Sequence, residues 1–373
     1  EIFIGPLIHD DAERLASNIL GADIDPELMD FFEAKTGNNP LFLKELISHL
    51  IKERQIVKKE ETFWLASENI DIPISLSSLM VTRIDSLPKD LKELTLDAAI
   101  IGLEFNINIL QKLSKDKKIQ ELINKGIEIR IWQKLSADEY SFRQPFLQEA
   151  AYEMQFESDL KKQHKAIAEF IKKNYSENPR YYADLVYHFE KADIPDETIQ
   201  ALHLAIDYTK NSFKNQKALE FIDKYLQLSE NEKEKIKMYY MKGEIFNLIG
   251  EVQNAIDSLT FGLGVSTIAE LQSEQSSILA KLGDIFQKQG KSEKALSVLD
   301  QSISQATLDN NNDILAEAHV SKGRALWSIG KYAAALETLE KAVEHSKQAK
   351  NREMEALAYY YNGIVYRDTN RYD

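Results

Sequence analysis

From Ile236 onward the chain repeats one pattern of small and large apolar positions. Gly243, Gly283, Gly323 and Gly363 stand 40 residues apart, and three residues after each comes a large apolar residue: Phe246, Phe286, Leu326 and Tyr366. Seven residues after the first three glycines stand Gly250, Gly290 and Gly330, with Asn370 in the last copy. Alanines follow in register at Ala255, Ala295 and Ala335, leucines at Leu259, Leu299 and Leu339, and small residues at Gly262, Ser302 and Ala342. This spacing predicts antiparallel helix pairs. The first glycine lets the paired helix come close, the second takes the turn between helices, and the alanine marks where the second helix crosses the first. One such pair leaves an apolar face uncovered, so successive pairs must stack.

Upstream the pattern is looser. Pro195 to Ser229 predicts two helices, marked by Ala205, Tyr208, Ala218 and Tyr225, and further helices are expected at Asp159 to Asn174 and Arg180 to Ala192. Residues 156–230 thus read as a helical bridge. The first half predicts helices at Asp10 to Leu20, Pro26 to Lys35 and Pro40 to Glu53, then a hairpin over Arg54 to Ala66, where Ile56, Val57, Phe63 and Trp64 are the apolar positions. Helices follow at Ser75 to Ser86, Lys89 to Ile101, Ile107 to Ser114 and Lys117 to Lys125, the last one stopped by Gly126. Ile127 to Trp132 and Glu139 to Arg143 read as strands on either side of the Ser136-Ala137-Asp138 turn. Helices followed by such a hairpin describe a winged-helix domain over 71–155, preceded by a helical segment with a hairpin over 1–70. The expected fold class is mostly α, ending over 231–373 in an α-solenoid whose last repeat is truncated.

The 40-residue pattern from about Ile236 to Asp373 resembles the tetratricopeptide repeat. That repeat usually has a period of ~34 residues, so longer helices or longer joints are expected here; the proline that commonly closes each repeat is absent, since none follows Pro195. The resemblance implies an array that binds a protein or peptide. The aromatic set Tyr359, Tyr360, Tyr361, Tyr366 and Tyr372 admits two readings, packing inside the repeat or lining a partner face; Tyr359, Tyr360 and Tyr366 are the candidate partner contacts. Truncation of the last repeat would also leave surface for self-association.

Thr36-Gly37-Asn38-Asn39-Pro40-Leu41-Phe42-Leu43 is the most informative short motif. Gly37 or Asn38 can adopt the left-handed conformation that ends a helix, Asn39 can cap the next helix, and Pro40 suits its first position. The result is an exposed helix N-terminus that would suit an anion or the edge of a nucleotide, although an ordinary joint between helices has the same residues. Glu1 to Leu7, this turn, Arg83-Ile84-Asp85-Ser86-Leu87-Pro88 and Phe142-Arg143-Gln144-Pro145-Phe146-Leu147 occur in that order. Together they resemble the lid and winged-helix portion of STAND-type signalling ATPases, in which helical repeats commonly follow. By that resemblance Asn39 and Pro40 match the turn that packs on the adenine of a bound nucleotide, with Asn38 where a second glycine is usual. Arg143 matches an arginine often followed by histidine, a place held here by Gln144. ATP or ADP is thereby implied for a longer parent protein, and no cofactor is expected for this chain by itself.

Composition narrows the chemistry. The 373 residues include no cysteine, so disulfides, thiolate metal sites and cysteine nucleophiles are excluded, and a formal net charge of −14 repels phosphate backbones. No apolar run approaches the ~20 residues of a membrane span, and a cytoplasmic chain is expected. No Gly-x-x-x-x-Gly-Lys-Ser/Thr occurs; Gly290-Lys291-Ser292 falls at a repeat turn with Ile285 five residues upstream of Gly290. The seven histidines show no metal spacing, and His188 in Tyr187-His188-Phe189 reads as a packed helix residue. Acidic pairs such as Glu60-Glu61 and Asp138-Glu139 fall in turns, where charge is simply solvated. No catalytic residue and no metal site is expected, and the chain is not expected to be an enzyme.

Lys112, Lys115, Lys117, Lys118, Lys125 and Arg130 would lie near the third helix and wing, which invites a DNA-binding reading. Yet residues 71–157 hold 11 Lys or Arg against 14 Asp or Glu, a formal −3, so nucleic acid is disfavoured as a partner. The leading expectation is a regulatory, partner-sensing piece of a large signalling protein. A DNA-binding winged-helix regulator and a passive repeat scaffold are the alternatives.

Overall fold

The computed structural model describes residues 6–66, 76–114, 118–269 and 271–369. Expectations placed on Glu1 to Gly5, Asp71 to Ser75, Lys115, Lys117, Asn370 and Tyr372 lie outside the described residues. The chain is mostly helical and divides into two units, Glu1–Ser176 with Tyr187–Ile194, and Glu177–Val186 with Pro195–Asp373.

The first unit opens with α1 (His9–Leu20), β1 (Asp23–Ile24), α2 (Pro26–Thr36), α3 (Pro40–Lys52), β2 (Ile56–Lys59) and β3 (Thr62–Leu65). Asp25 and Asn39 cap α2 and α3: the Asp25 carboxylate accepts from the Glu27 N–H, the Asn39 side-chain oxygen from the Leu41 and Phe42 N–H groups, and a proline starts each helix. The β2–β3 hairpin lies within the predicted stretch. It gains a parallel neighbour in β1, whose two residues are too short to carry an alternation signal.

Next come α4 (Leu76–Asp85), α5 (Lys89–Ile101), β4 (Glu104–Asn106), α6 (Ile107–Leu113), α7 (Ile119–Glu128), β5 (Trp132–Lys134), β6 (Glu139–Phe142), α8 (Pro145–Glu153) and α9 (Glu157–Tyr175). β6 pairs antiparallel with both β4 and β5. Two expectations are corrected here. Gly126 does not stop α7 but lies inside it, and a Cβ there would sit 2.4 Å from the Trp132 ring. The glycine serves the close approach of that indole, and the turn falls to Arg130, at φ 61°, with the Ile131 N–H donating back to the Gly126 carbonyl at 2.8 Å. Accordingly Ile127 and Glu128 are helical, and the strand predicted over Ile127 to Trp132 begins only at Trp132. β4 was not anticipated; its Phe105 packs edge-on to Trp132 with centroids 5.6 Å apart. One continuous apolar core runs from Ala12 and Leu28 through Met80 and Leu94 to Trp132 and Ala151.

A 3-10 turn at Pro179–Tyr181 leads to α10 (Tyr182–Lys191), then α11 (Pro195–Asn211) and α12 (Asn215–Leu228). The repeats are α13 (Glu232–Leu248) with α14 (Val252–Ile268), α15 (Gln272–Lys288) with α16 (Ser292–Leu308), α17 (Asn312–Ser328) with α18 (Tyr332–Ala349), and α19 (Arg352–Asp368). Helices α13 to α17 each have 17 residues and α15, α16 and α17 are separated by the short turns 289–291 and 309–311, so the long period goes into the helices. A Cβ on Gly243, Gly283 or Gly323 would come within 2.6, 2.3 or 2.5 Å of the Cγ of Leu259, Leu299 or Leu339. Those three glycines therefore mark close helix crossings, with Ala255, Ala295 and Ala335 fully buried beside them. Gly250, Gly290 and Gly330 take φ of 84°, 73° and 75° at the turns. Gly363 differs: among the described residues nothing lies within 4 Å of a Cβ placed there.

Candidate protein-binding face and cationic cleft

In the second unit each second helix packs on the first helix of its own pair and on that of the next, while the first helices α13, α15, α17 and α19 touch one another in a row. Residues three, four or seven apart on each first helix share a side and line up along that row. They are Tyr240 and Glu244 on α13, Lys281 and Asp284 on α15, Glu317, Arg324 and Trp327 on α17, and Tyr361 and Asp368 on α19.

Charges along this face are knitted together. Glu244 accepts from Lys210 Nζ at 3.0 Å and from Lys281 Nζ at 3.2 Å. Burial alone would raise its carboxyl, but these two cations outweigh it and hold it below the usual carboxylate range. Asp284 pairs with Lys288 at 2.6 Å and with Arg324 at 3.0 Å, and the Arg324 guanidinium lies over the Tyr361 ring at 4.9 Å. Trp327 donates its indole N–H to Asp368 at 2.8 Å. Burial pushes the Tyr240 hydroxyl up, with the Glu317, Glu244 and Asp284 carboxyls adding to it. The face thus combines aromatic rings with fixed charges of both signs.

Of the candidate tyrosines, Tyr360 is 62% exposed and touches Tyr361 in this row. Tyr359 lies instead beside Lys347 of α18, whose Nζ is 5.6 Å from its ring. Tyr366 is 38% exposed, seven residues on and so on the same side of α19 as Tyr359. Tyr240, Lys281, Glu317, Arg324 and Trp327 were not singled out from the sequence. Their signal was the spacing of three, four or seven that puts Tyr240 with Glu244, Lys281 with Asp284, and Glu317 with Arg324 and Trp327 on one side of each helix, once the repeats are known to stack first helix on first helix.

In the first unit a cleft of about 760 Å³ is lined by Lys44, Glu45 and Lys52 of α3, Arg83 of α4, Lys125 of α7, and Arg130, Arg143 and Gln144. Arg83 organises it. Its guanidinium donates to Glu45 at 3.2 Å, to the Gln144 side-chain oxygen at 3.0 Å, and to the backbone carbonyls of Ile129 and Arg130 at 3.4 and 3.3 Å. The Gln144 amide donates in turn to Glu45. Lys44, Lys52, Lys125, Arg130 and Arg143 are exposed and make no ion pair among the described residues. Asn39 and Pro40 are also exposed but do not line the cleft; Leu41, the next residue, does. Gly37 and Asn38 are both left-handed, at φ 54° and 57°, and the Asn38 side-chain oxygen is buried without a hydrogen-bond partner.

Replacing Arg83 with alanine leaves the Glu45 carboxylate, only 11% exposed, without its cation and two carbonyls without a donor. The expected loss is about 2–3 kcal/mol, read as a lower urea midpoint for the first unit. Arg83→Lys should recover only part, since one ammonium cannot span the four acceptors that the fork reaches.

Among the described residues no helix is long and apolar enough to cross a membrane, and no group of three or more His, Asp or Glu could hold a metal ion. Residues 274–348 match the tetratricopeptide repeat model, and residues 9–61 match a domain of unknown function (DUF8739). No curated protein matches the chain. Among solved structures, the chain is similar to a signal transduction ATPase with numerous domains (STAND) protein with a tetratricopeptide repeat sensor from Pyrococcus horikoshii, at 14% identity and TM-score 0.46 over 99% of this chain; it spans 52% of that protein's length. It is also similar to BtubC from P. vanneervenii, at 15% identity and TM-score 0.44 over 55% of this chain and 85% of that one. A Rap protein complexed with competence and sporulation factor matches at 14% identity and TM-score 0.35, over 97% of this chain and 99% of that one. The matched model, the buried glycines and the stacked helix pairs together make the C-terminal region an array of tetratricopeptide repeats.

Proposed function

We propose that this chain is a partner-sensing regulatory module, in which the repeats receive an extended segment of a protein along the row of first helices and the first unit relays occupancy to a nucleotide-switch ATPase core beyond this chain. The observation that carries the first half is the first-helix face itself: Tyr240, Glu244, Lys281, Asp284, Arg324 and Trp327 present rings and oriented charges on one continuous surface of a tetratricopeptide repeat array. The relay rests on the resemblance of the first unit to a STAND lid followed by a winged helix.

The cleft supports the nucleotide part of this reading. Arg143, Arg130 and Lys125 are exposed, unpaired cations on one concavity, the chemistry that a phosphate requires. Asn39 holds the N-terminus of α3 and Pro40 offers an exposed ring at the same turn, which suits the edge of a base. An adenine nucleotide bound by the core would supply the negative charge that those cations lack. The chain has no phosphate loop of its own, so it acts as a receiver and relay rather than as the catalyst.

The test uses two proteins. The purified chain should hydrolyse no ATP, and a version extended at its N-terminus should bind an adenine nucleotide with an affinity that drops when Arg143 is replaced by alanine. Failure of the extended protein to bind any adenine nucleotide would remove the switch, leaving the repeats as a binding scaffold.

A further inference from the structure

Four carboxyl side chains stand on the first-helix face, and three are matched within the protein. Glu244 is held by Lys210 and Lys281, Asp284 by Lys288 and Arg324, and Asp368 by the Trp327 indole and Arg367. The fourth, Glu317 on α17, makes no hydrogen bond and no ion pair among the described residues, although its neighbours largely cover it. Burial pushes its carboxyl above the usual range; Lys281 and Lys288 pull it back, while Asp284 and Glu244 add repulsion. Its carboxylate oxygens keep contact with solvent, so a donor from outside can reach them without first breaking a bond inside the protein. Its open hydrogen-bonding positions are therefore available to a positive donor from outside.

We propose that Glu317 anchors a lysine or arginine side chain of the peptide segment received by the repeats, and this rests on the reading of that face as the peptide-binding surface. An incoming ammonium or guanidinium would meet the Glu317 carboxylate directly. It would also lie in the field of Asp284 and Glu244 and close to the Tyr240 ring, whose face attracts cations and already has Lys281 Nζ 5.8 Å from its centroid. A free metal ion is the poorer occupant, because no three ligating groups converge here among the described residues. Glu317 thus sets which segments bind, while the matched pairs Glu244–Lys281 and Asp284–Arg324 keep the floor of the face rigid.

The experiment selects random linear peptides displayed on phage against three proteins: the native chain, Glu317→Gln, which keeps shape and removes the charge, and Glu317→Lys, which reverses it. The native chain should enrich sequences with Lys or Arg at one fixed position. A synthetic peptide from that pool should bind Glu317→Gln about ten- to a hundredfold more weakly, and Glu317→Lys should enrich Asp or Glu at the corresponding position. Circular dichroism melts establish that each variant is folded before selection. Peptides enriched by the native chain with no basic preference, or bound equally by Glu317→Gln, overturn the role of Glu317 while leaving the binding face standing. Enrichment of no peptide by any of the three folded proteins overturns the binding face and this inference with it.

Discussion

Lowering the pH from 7 to 5 should strip stability from the first unit through a buried pair of histidines. His164 on α9 and His188 on α10 are 0% and 1% exposed, their Nδ1 atoms lie 2.8 Å apart, and His164 Nε2 lies 2.9 Å from the Tyr152 hydroxyl. One imidazole donates through Nδ1–H and the other accepts, so the arrangement holds with both rings neutral; either tautomer satisfies the tyrosine. Burial pushes both rings below the usual histidine range, with Lys191 adding to the effect at His164 and His164 at His188. In the unfolded chain each ring takes up a proton near the ordinary value of about 6.5. Between there and the lowered folded values the unfolded state binds more protons, so stability is complete above pH 6.5 and falls as the pH falls. The loss approaches about 1.4 kcal/mol per histidine for each pH unit below 6.5, or roughly 2 kcal/mol each at pH 5.

His319 in the second unit behaves likewise, pushed down to about 4 by burial and by His345, Lys322 and Lys341. Glu317 opposes it, because a raised carboxyl binds its proton more tightly when folded. The two units should therefore respond unequally to acid, the first more steeply. Amide hydrogen exchange resolved by segment measures this: protection of α9 should fall from pH 7 to pH 5, after correction for the intrinsic exchange rate, more than protection of α17. Equal protection of α9 at both values would mean that the pair is not buried as a neutral couple.

The limits of the sequence are instructive at particular residues. The glycine, alanine and leucine positions of the repeats were legible because each is fixed by one steric demand that recurs every 40 residues, and recurrence separates such a demand from chance. Gly126 carried the same residue type without recurrence. Read alone it suggested a helix stop, whereas the demand was room for Trp132, a residue six positions on in a strand. Arg130 in the left-handed conformation had no marker, since nothing in its side chain announces that geometry. Asn39 could be read as a cap because capping is local, spanning the two or three residues that its side-chain oxygen reaches. Arg83 could not be given its role, because Glu45 and Gln144 lie 38 and 61 residues away along the chain. The His164–His188 couple was hidden for the same reason: His188 read as a packed helix residue, but only the fold supplies its partner.

Gly283→Val should be the most damaging single change in the repeats. The glycine lies in the middle of α15, and a Cβ there would sit 2.3 Å from Leu299 Cγ and 2.4 Å from its Cδ2. Leu299 is fully buried in the core shared by α13 to α17, so it cannot swing out of the way, and α15 and α16 must separate. Overpacking of this kind typically costs 1–3 kcal/mol, and valine adds two methyl groups beyond the Cβ that must also be housed. Loss of about 3 kcal/mol or more is expected, against which the gain from removing a helical glycine is only about 0.5–1 kcal/mol. The same substitution to alanine should fall between, with strain partly offset by helix propensity. Pairing Gly283→Ala with Leu299→Ala separates the terms: if the clash is the cause, the second change costs less in the variant background than in the native one, and the coupling energy is favourable. Gly363→Ala supplies the opposite sign. It occupies the same register on α19 but faces no atom within 4 Å among the described residues, so only the propensity gain of about 0.5–1 kcal/mol remains. Urea denaturation of the native chain and the five variants gives the order directly, and a Gly283→Val protein as stable as the native chain would mean that α15 and α16 do not cross at this glycine.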